Sequence, residues 1–269
     1  DVEAMPDGHM DVCLFNGAIR TSENEHMAHL LRRKSKVLVA YGSCAYEGCI
    51  PGLANLFDRR TIFERAYLEV PTVDNSEGIL PQTSTQVPEG EIEIPAFYNT
   101  VKTLGQVEEV DYFVPGCPPE AHQTWAVIEA ILSGNLPPKG SVVGANEKTV
   151  CDECEFEREE KRIEKFYRPH EIIPDPERCL LDQGIICAGP ATRGGCGALC
   201  PTVNMPCRGC YGPPPNVIDQ GAALLSAVAS VVDADTEEEA ARIVGEIVDP
   251  VGTFYRFSLP ASLLHRSKL

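Results

Sequence analysis

The chain has 269 residues, 43% of them hydrophobic, enough for a buried core and one or two domains. Forty acidic against 23 basic residues leave a net charge of -17, which excludes nucleic acid as an expected partner, and no apolar run reaches the roughly 18 residues of a membrane span. The twelve cysteines are not spaced like a secreted disulfide scaffold, so the expectation is a cytoplasmic protein whose thiols bind metal.

In chain order, DVCLFNGAI from Asp11 reads as a buried strand. A helix starts at Ser22, with Glu25 three residues on as a capping box and Met27, Leu30 and Leu31 as its apolar stripe. KVLVAYG, from Lys36, is a second strand. A long connection, roughly 58–105, opens as a helix over Thr61 to Leu68. It then runs through a Pro-, Thr- and Glu-rich stretch that argues against regular structure. That leaves a flexible loop or an ordered arm lying on a partner subunit. EEVDYFVPG, from Glu108, is a third strand, and the helix after it carries Ala121, Trp125, Ile128 and Leu132 on one face. SVVG, from Ser141 to Gly144, is a fourth strand or a link. Strands alternating with helices define an α/β fold with a parallel sheet covered on both faces.

The character changes at Cys151. Residues 151–215 have little hydrophobic periodicity, and Gly, Pro and Cys dominate the end of this stretch. Metal sites are therefore expected to supply much of its folding energy. Two helices follow, one over about 217–232 and one capped by Thr236 and Glu239 with Ala240, Ile243, Val244 and Ile247 facing inward. The apolar, aromatic tail from Asp249 is expected to be docked. The expected division is an α/β domain over 1–150 and an irregular, cysteine-rich domain with C-terminal helices over 151–269.

Open parallel sheets bind ligands beyond the C-terminal ends of their strands. Cys44 follows the second strand in YGSC, and Cys117 follows the third in VPGCPPE, so both face one site. A nucleotide-cradling loop at this edge is disfavoured, because there is neither a Walker lysine–serine pair nor a GxGxxG. Two thiolates fall short of the four ligands of a [4Fe–4S] cube. Cys13 lies inside an apolar strand and reads as a core residue. Cys49 does not repeat the strand-end context, and the missing ligands are expected to precede Asp1. The remaining cysteines form two sets of four: Cys151, Cys154, Cys179 and Cys187, then Cys196, Cys200, Cys207 and Cys210. Short CxxC and CxxxC spacings let one loop deliver two thiolates to one cluster. Zinc ribbons share that spacing. Two four-cysteine sets plus a separate pair favour a row of redox centres over adjacent structural zincs. No catalytic acid or base stands out: Glu23, Glu25 and His26 read as a solvated helix face, and Glu47 is at most an interface residue.

NGAIRTSENEHMAHLLRRK, VAYGSCAYEGCIPGLANL, VPGCPPE, CDEC, CAGPATRGGCGALC, MPCRGC and DPVGTFYRFSLP together resemble the small subunit of the [NiFe]-hydrogenases of methanogenic archaea. The type most resembled is the viologen-reducing, deazaflavin-nonreducing enzyme that associates with heterodisulfide reductase. The resemblance covers essentially the whole chain. It implies a flavodoxin-like N-terminal domain, a cluster-rich C-terminal domain and three [4Fe–4S] clusters. The proximal cluster would use Cys44 and Cys117, with two further cysteines from outside this sequence. Cys196, Cys200, Cys207 and Cys210 would hold the medial cluster, and Cys151, Cys154, Cys179 and Cys187 the distal one. Many relatives have a histidine where Cys151 stands, and only three of the four medial cysteines. The implied role is electron transfer from H2 oxidation in a large subunit to an iron–sulfur adaptor subunit and heterodisulfide reductase, with formate dehydrogenase as a further partner in some complexes. The alternatives are the small subunit of a deazaflavin-reducing hydrogenase and a non-redox, zinc-stabilised assembly subunit. The homologous 20 kDa subunit of NADH:ubiquinone oxidoreductase carries one cluster, and the eight-cysteine region argues against it.

Overall fold

The structure, a computed structural model, describes residues 2–159 and 162–265. Strands β1 (Met10–Phe15) and β2 (Ile19–Thr21) lead into helix α1 (Ser22–Lys34), strand β3 (Ser35–Tyr41) and the short α2 (Ser43–Glu47). Next come α3 (Arg59–Glu64), β4 (Ser84–Val87), β5 (Gly90–Glu93), β6 (Phe97–Lys102), β7 (Tyr112–Val114), α4 (Ala121–Ser133) and β8 (Ser141–Val142). The rest is mostly turns and loops, with α5 (Leu199–Thr202), α6 (Gln220–Ala229), α7 (Glu237–Gly245) and α8 (Pro250–Phe254).

The main sheet has the order β1-β3-β7-β8, and every pairing is parallel. Its strands therefore all open their C-terminal ends on one edge. Tyr41 of β3 lies opposite Val114 of β7, so Cys44 and Cys117 follow paired positions at equal distance along the chain. Side chains alternate along β3. Leu38 and Ala40 join Phe15, Ile19, Ala28, Leu104 and Val110 on one face, while Val39 joins Tyr112, Val114, Val127 and Val143 on the other. SVVG contributes a paired strand, β8. The first strand is less buried than its sequence implies: β1 is an edge strand, and Leu14 is 44% exposed.

One carboxylate ties the opposite edge. Asp111 is 2% exposed and accepts from Leu38 N at 2.8 Å and Arg32 Nη1 at 2.7 Å, with Lys139 Nζ at 2.5 Å. Burial works against its charge, but the Lys139 and Arg32 hydrogen bonds and the Leu38 N–H more than offset that and lower its pKa.

Several local expectations are corrected. The cap of α1 is Thr21, boxed with Asn24, because Asn24 Oδ1 reaches the N–H groups of Arg20 and Thr21. Ser22 and Glu25 have tertiary partners instead: Ser22 Oγ accepts from Ala96 N, and Glu25 takes Tyr98 Oη and Lys102 Nζ. The 58–105 connection holds regular structure. α3 runs into a π turn over Arg65–Glu69, β4 and β5 form a hairpin, and β6 pairs antiparallel with β2. The inward face of α4 is also different. Trp125 is 60% and Leu132 81% exposed, while Gln123 and Val127 are buried. Gln123 tolerates burial because its Nε2 donates to Pro115 O and its Oε1 accepts from Tyr211 Oη. The helix expected over 217–232 is the shorter α6, capped by Asp219. In α7, Thr236 caps and Ile243 is buried, but Val244 is 50% exposed.

From Val150 onward a third apolar cluster gathers Ile163, Phe166, Leu180, Leu181, Ile185, Leu224, Val228 and Ile243 around the thiols Cys187 and Cys207. The tail is docked across the N-terminal half. Phe257 O accepts from Cys49 N at 3.0 Å, and Pro260 O accepts from Gln106 Nε2 at 2.7 Å. The Pro260 ring fills the space beside Gly48 and Gly52, where an added Cβ would lie 2.3 Å from its Cγ.

Candidate metal centre

At the sheet's C-terminal edge the chain makes two turns that face one loop. After β3, Gly42 N donates to Val114 O, Ser43 N to Gly116 O and Ser43 Oγ to Cys210 O at 2.5 Å. After β7, Gly116 N donates to Cys210 O at 3.2 Å. Gly116 has φ 121°, and a Cβ there would come within 2.6 Å of Pro119 Cα, so only glycine makes this turn. The carbonyl of Cys210 thus bridges both strand ends, and the CRGC loop is pinned over Cys44 and Cys117.

Cys44 and Cys117 share this edge with Cys49, which sequence reasoning set aside. Cys49 is buried, and its Sγ lies 3.8 Å from Cys117 Sγ. Its hydrogen bond to Cys44 lowers the Cys44 thiol to about 7 and raises its own. Cys13 packs against the N-terminal core, and burial raises its pKa.

Cys151, Cys154, Cys179 and Cys187 line one small cavity with Phe156, Arg158, Leu180, Gly189 and Pro201. Burial pushes Cys151 up to about 12; Arg158 opposes this, while the charges of Cys187, Cys179 and Cys154 add to it. Burial also carries Cys187 up to about 11 against the N–H groups of Gly189 and Cys207. Cys207 N reaches Cys187 Sγ at 3.2 Å.

The other four thiols gather around the CRGC loop. Burial first, then the charges of Cys196, Cys200 and Cys117, lift Cys210 to about 12. Cys196 is raised by burial and feels Cys200, while the N–H groups of Leu199 and Ala198 aim at it. Cys207 is raised by burial and by the charges of Cys187 and Cys210, with Gly209 N and the Thr192 hydroxyl opposing. The two sets therefore touch through Cys187 and Cys207, and the second reaches the strand ends through Cys210 and Cys117.

Glu153, inside CDEC, fastens the first set to the second. Its carboxylate accepts from Gly195 N at 2.6 Å, Gly197 N at 3.0 Å and Asn146 Nδ2 at 2.5 Å. Nothing in its local sequence signals this role; the glycine partners lie more than 40 residues on. Arg193 adds bonds to Asn146 O and Pro213 O. Glu47 is buried rather than at a surface: burial pushes it up to about 8, Asp219 adds to the rise, and Tyr46 and Arg193 oppose it.

The donor chemistry fits iron–sulfur clusters. Thiols buried as deeply as Cys187 and Cys207 stay protonated until a positively charged group takes them as thiolates. Backbone N–H groups already point at Cys187, Cys196, Cys207 and Cys210, as they do around cluster ligands. Gly189 leaves the needed space, since a Cβ there would sit 2.9 Å from Cys151 Sγ. Among the described residues, no three Cys, His, Asp or Glu groups converge on one point as ligands of a single metal ion.

Residues 1–131 match the family described as NADH ubiquinone oxidoreductase, 20 Kd subunit. Full-length relatives narrow the class. The chain is 43% identical to the iron-sulfur subunit of the F420-non-reducing hydrogenase of Archaeoglobus profundus, over 99% of this chain and 84% of that one. It is 39% identical to the corresponding subunit of the F420-non-reducing hydrogenase of Methanothermobacter marburgensis, over 95% and 80% of the two chains. The sulfhydrogenase 2 delta subunit of Pyrococcus furiosus is 26% identical over 76% of this chain and 66% of that one. The chain belongs to the family of F420-non-reducing hydrogenase iron–sulfur subunits, and is thus a subunit of an oxidoreductase complex acting on H2.

Proposed function

We propose that this chain is the electron-transfer small subunit of a [NiFe]-hydrogenase, passing electrons from H2 oxidation in the large subunit to an iron–sulfur adaptor subunit and heterodisulfide reductase. Formate dehydrogenase is a further partner of the same complex, which works in the cytoplasm. The observation that carries the reading is the contiguity of the thiols: Cys117 beside Cys210, and Cys207 beside Cys187. A structural zinc protein has no need of such a row. The relatives' names, F420-non-reducing, speak against the deazaflavin-reducing alternative.

In this scheme residues 1–150 carry Cys44 and Cys117 toward the large subunit, and two further ligands come from outside this sequence. Residues 151–269 hold a medial cluster on Cys196, Cys200, Cys207 and Cys210 and a distal one on Cys151, Cys154, Cys179 and Cys187. Each [4Fe–4S] cluster, when bound, supplies a one-electron redox site. The chain's own groups do the rest. Leu180, Phe156 and Pro201 wall the distal thiols with apolar groups. Arg158 lies near Cys151 and Cys179, and Arg208 near Cys187, Cys200 and Cys207; their charge favours the electron-rich state. No side chain is assigned a proton-transfer role.

The test is iron, acid-labile sulfide and zinc per copy of this chain in the anaerobically purified complex, counted after subtracting the partner subunits. About twelve iron and twelve sulfide are expected for three cubes. Zinc with little sulfide would overturn the electron-transfer reading.

A further inference from the structure

Cys49 belongs to neither of the roles given to the other cysteines. It is 1% exposed, yet it joins none of the three apolar clusters, whereas Cys13 packs against one of them. Its side chain is turned toward thiols. Its Sγ donates toward Cys117 Sγ at 3.8 Å.

The backbone is built to hold that direction. Cys49 has φ 51° and ψ -157°, a conformation that side chains other than glycine rarely adopt. Cys49 N is fixed to Phe257 O at 3.0 Å, and Cys49 O accepts from Gly52 N at 2.9 Å. The Pro260 ring closes the loop from behind through Gly48 and Gly52. A cysteine that only filled space would not need a strained backbone clamped from both sides. Strain of this kind collects where a side chain must be aimed.

We infer that Cys49 is a positioning and tuning residue of the strand-end site: a buried thiol whose S–H is aimed at the ligand sulfur of Cys117. The inference rests on the reading of Cys117, with Cys44, as a cluster ligand. A hydrogen bond to a ligand sulfur stabilises the more negative, reduced cluster and so raises its potential. No bond is made or broken and no proton leaves Cys49.

The experiment is an electron paramagnetic resonance redox titration of the whole purified complex, wild type against Cys49→Ala and Cys49→Ser. Cys117→Ser identifies which signal belongs to the strand-end cluster. Cys49→Ala is expected to lower the midpoint of that signal alone, by up to a tenfold change in its redox equilibrium, about 59 mV for one electron. Cys49→Ser keeps a donor and should restore most of the shift. An unshifted midpoint in Cys49→Ala would overturn the inference. So would loss of the strand-end signal in both variants, which would make Cys49 a ligand. A wild-type complex with no signal sensitive to Cys117→Ser would instead overturn the reading of Cys44 and Cys117.

Discussion

The two halves of the chain reach order by different means. The sheet half is held by parallel ladders and by apolar clusters on both faces of β3, and its thiols sit at one edge beyond the strands. Among the described residues, the cysteine-rich half contributes no strand to that sheet. Its apolar cluster counts Cys187 and Cys207 among its buried members, and two further ligand candidates, Cys154 and Cys179, pack against it. In the first half a metal would be a guest on a finished scaffold. In the second half the candidate ligands are part of the core, so occupancy and folding are expected to be coupled.

Removing the metal should break this comparison open most widely. Chelation of iron, followed by hydrogen–deuterium exchange, is expected to abolish protection across 151–210 while β3 and β7 stay protected. Equal loss in both halves would show that the sheet also depends on the ligands. The converse perturbation is Asp111→Asn, which leaves Arg32 beside a buried neutral amide. It should cost about 3 kcal/mol in denaturant unfolding, the low end for a broken buried pair because Lys139 is 65% exposed. The pH dependence has a definite sign. The folded pKa of Asp111 is depressed, so its contribution is complete above the ordinary aspartate range and is lost as pH falls through the folded value. The wild type should therefore lose more stability than Asp111→Asn on acidification below about pH 4. The smallest effect sharpens the boundary between the halves. Gly189→Ala places a methyl against Cys151 Sγ, and overpacking of this kind costs about 1–3 kcal/mol. Iron content should fall by one cluster at most, with the sheet's unfolding midpoint unchanged.

Much of the sheet half was legible because its signals are local. The Val-rich run at Lys36 and the hydrophobic stretch after Glu108 are strands wherever they land, and the glycine turns after them set the two edge cysteines. What escaped was tertiary. The pairing of β6 with β2 joins Ile19 to Lys102 and Thr21 to Phe97, so a stretch rich in Pro and Thr gave no local sign of it. The face of α4 turned on Gln123, a polar residue made acceptable inside by Pro115 O and Tyr211 Oη. In the cysteine-rich half, spacing links Cys151 to Cys154 and Cys207 to Cys210. The approach of Cys207 to Cys187 comes from the fold alone, as does the reach of Glu153 to Gly195 and Gly197. Cys49 carried one overlooked hint, its place just beyond the short turn that holds Cys44, directly after a glycine.

The ring of Pro260 against Gly48 and Gly52 also sets an order of events in biosynthesis. Cys44, Cys49 and Cys117 leave the ribosome early, and the sheet that carries them can form then. The clamp that fixes Cys49 from behind emerges late, with Phe257 and Pro260. The strand-end thiols therefore sit on a loop that gains its backing only when the tail docks.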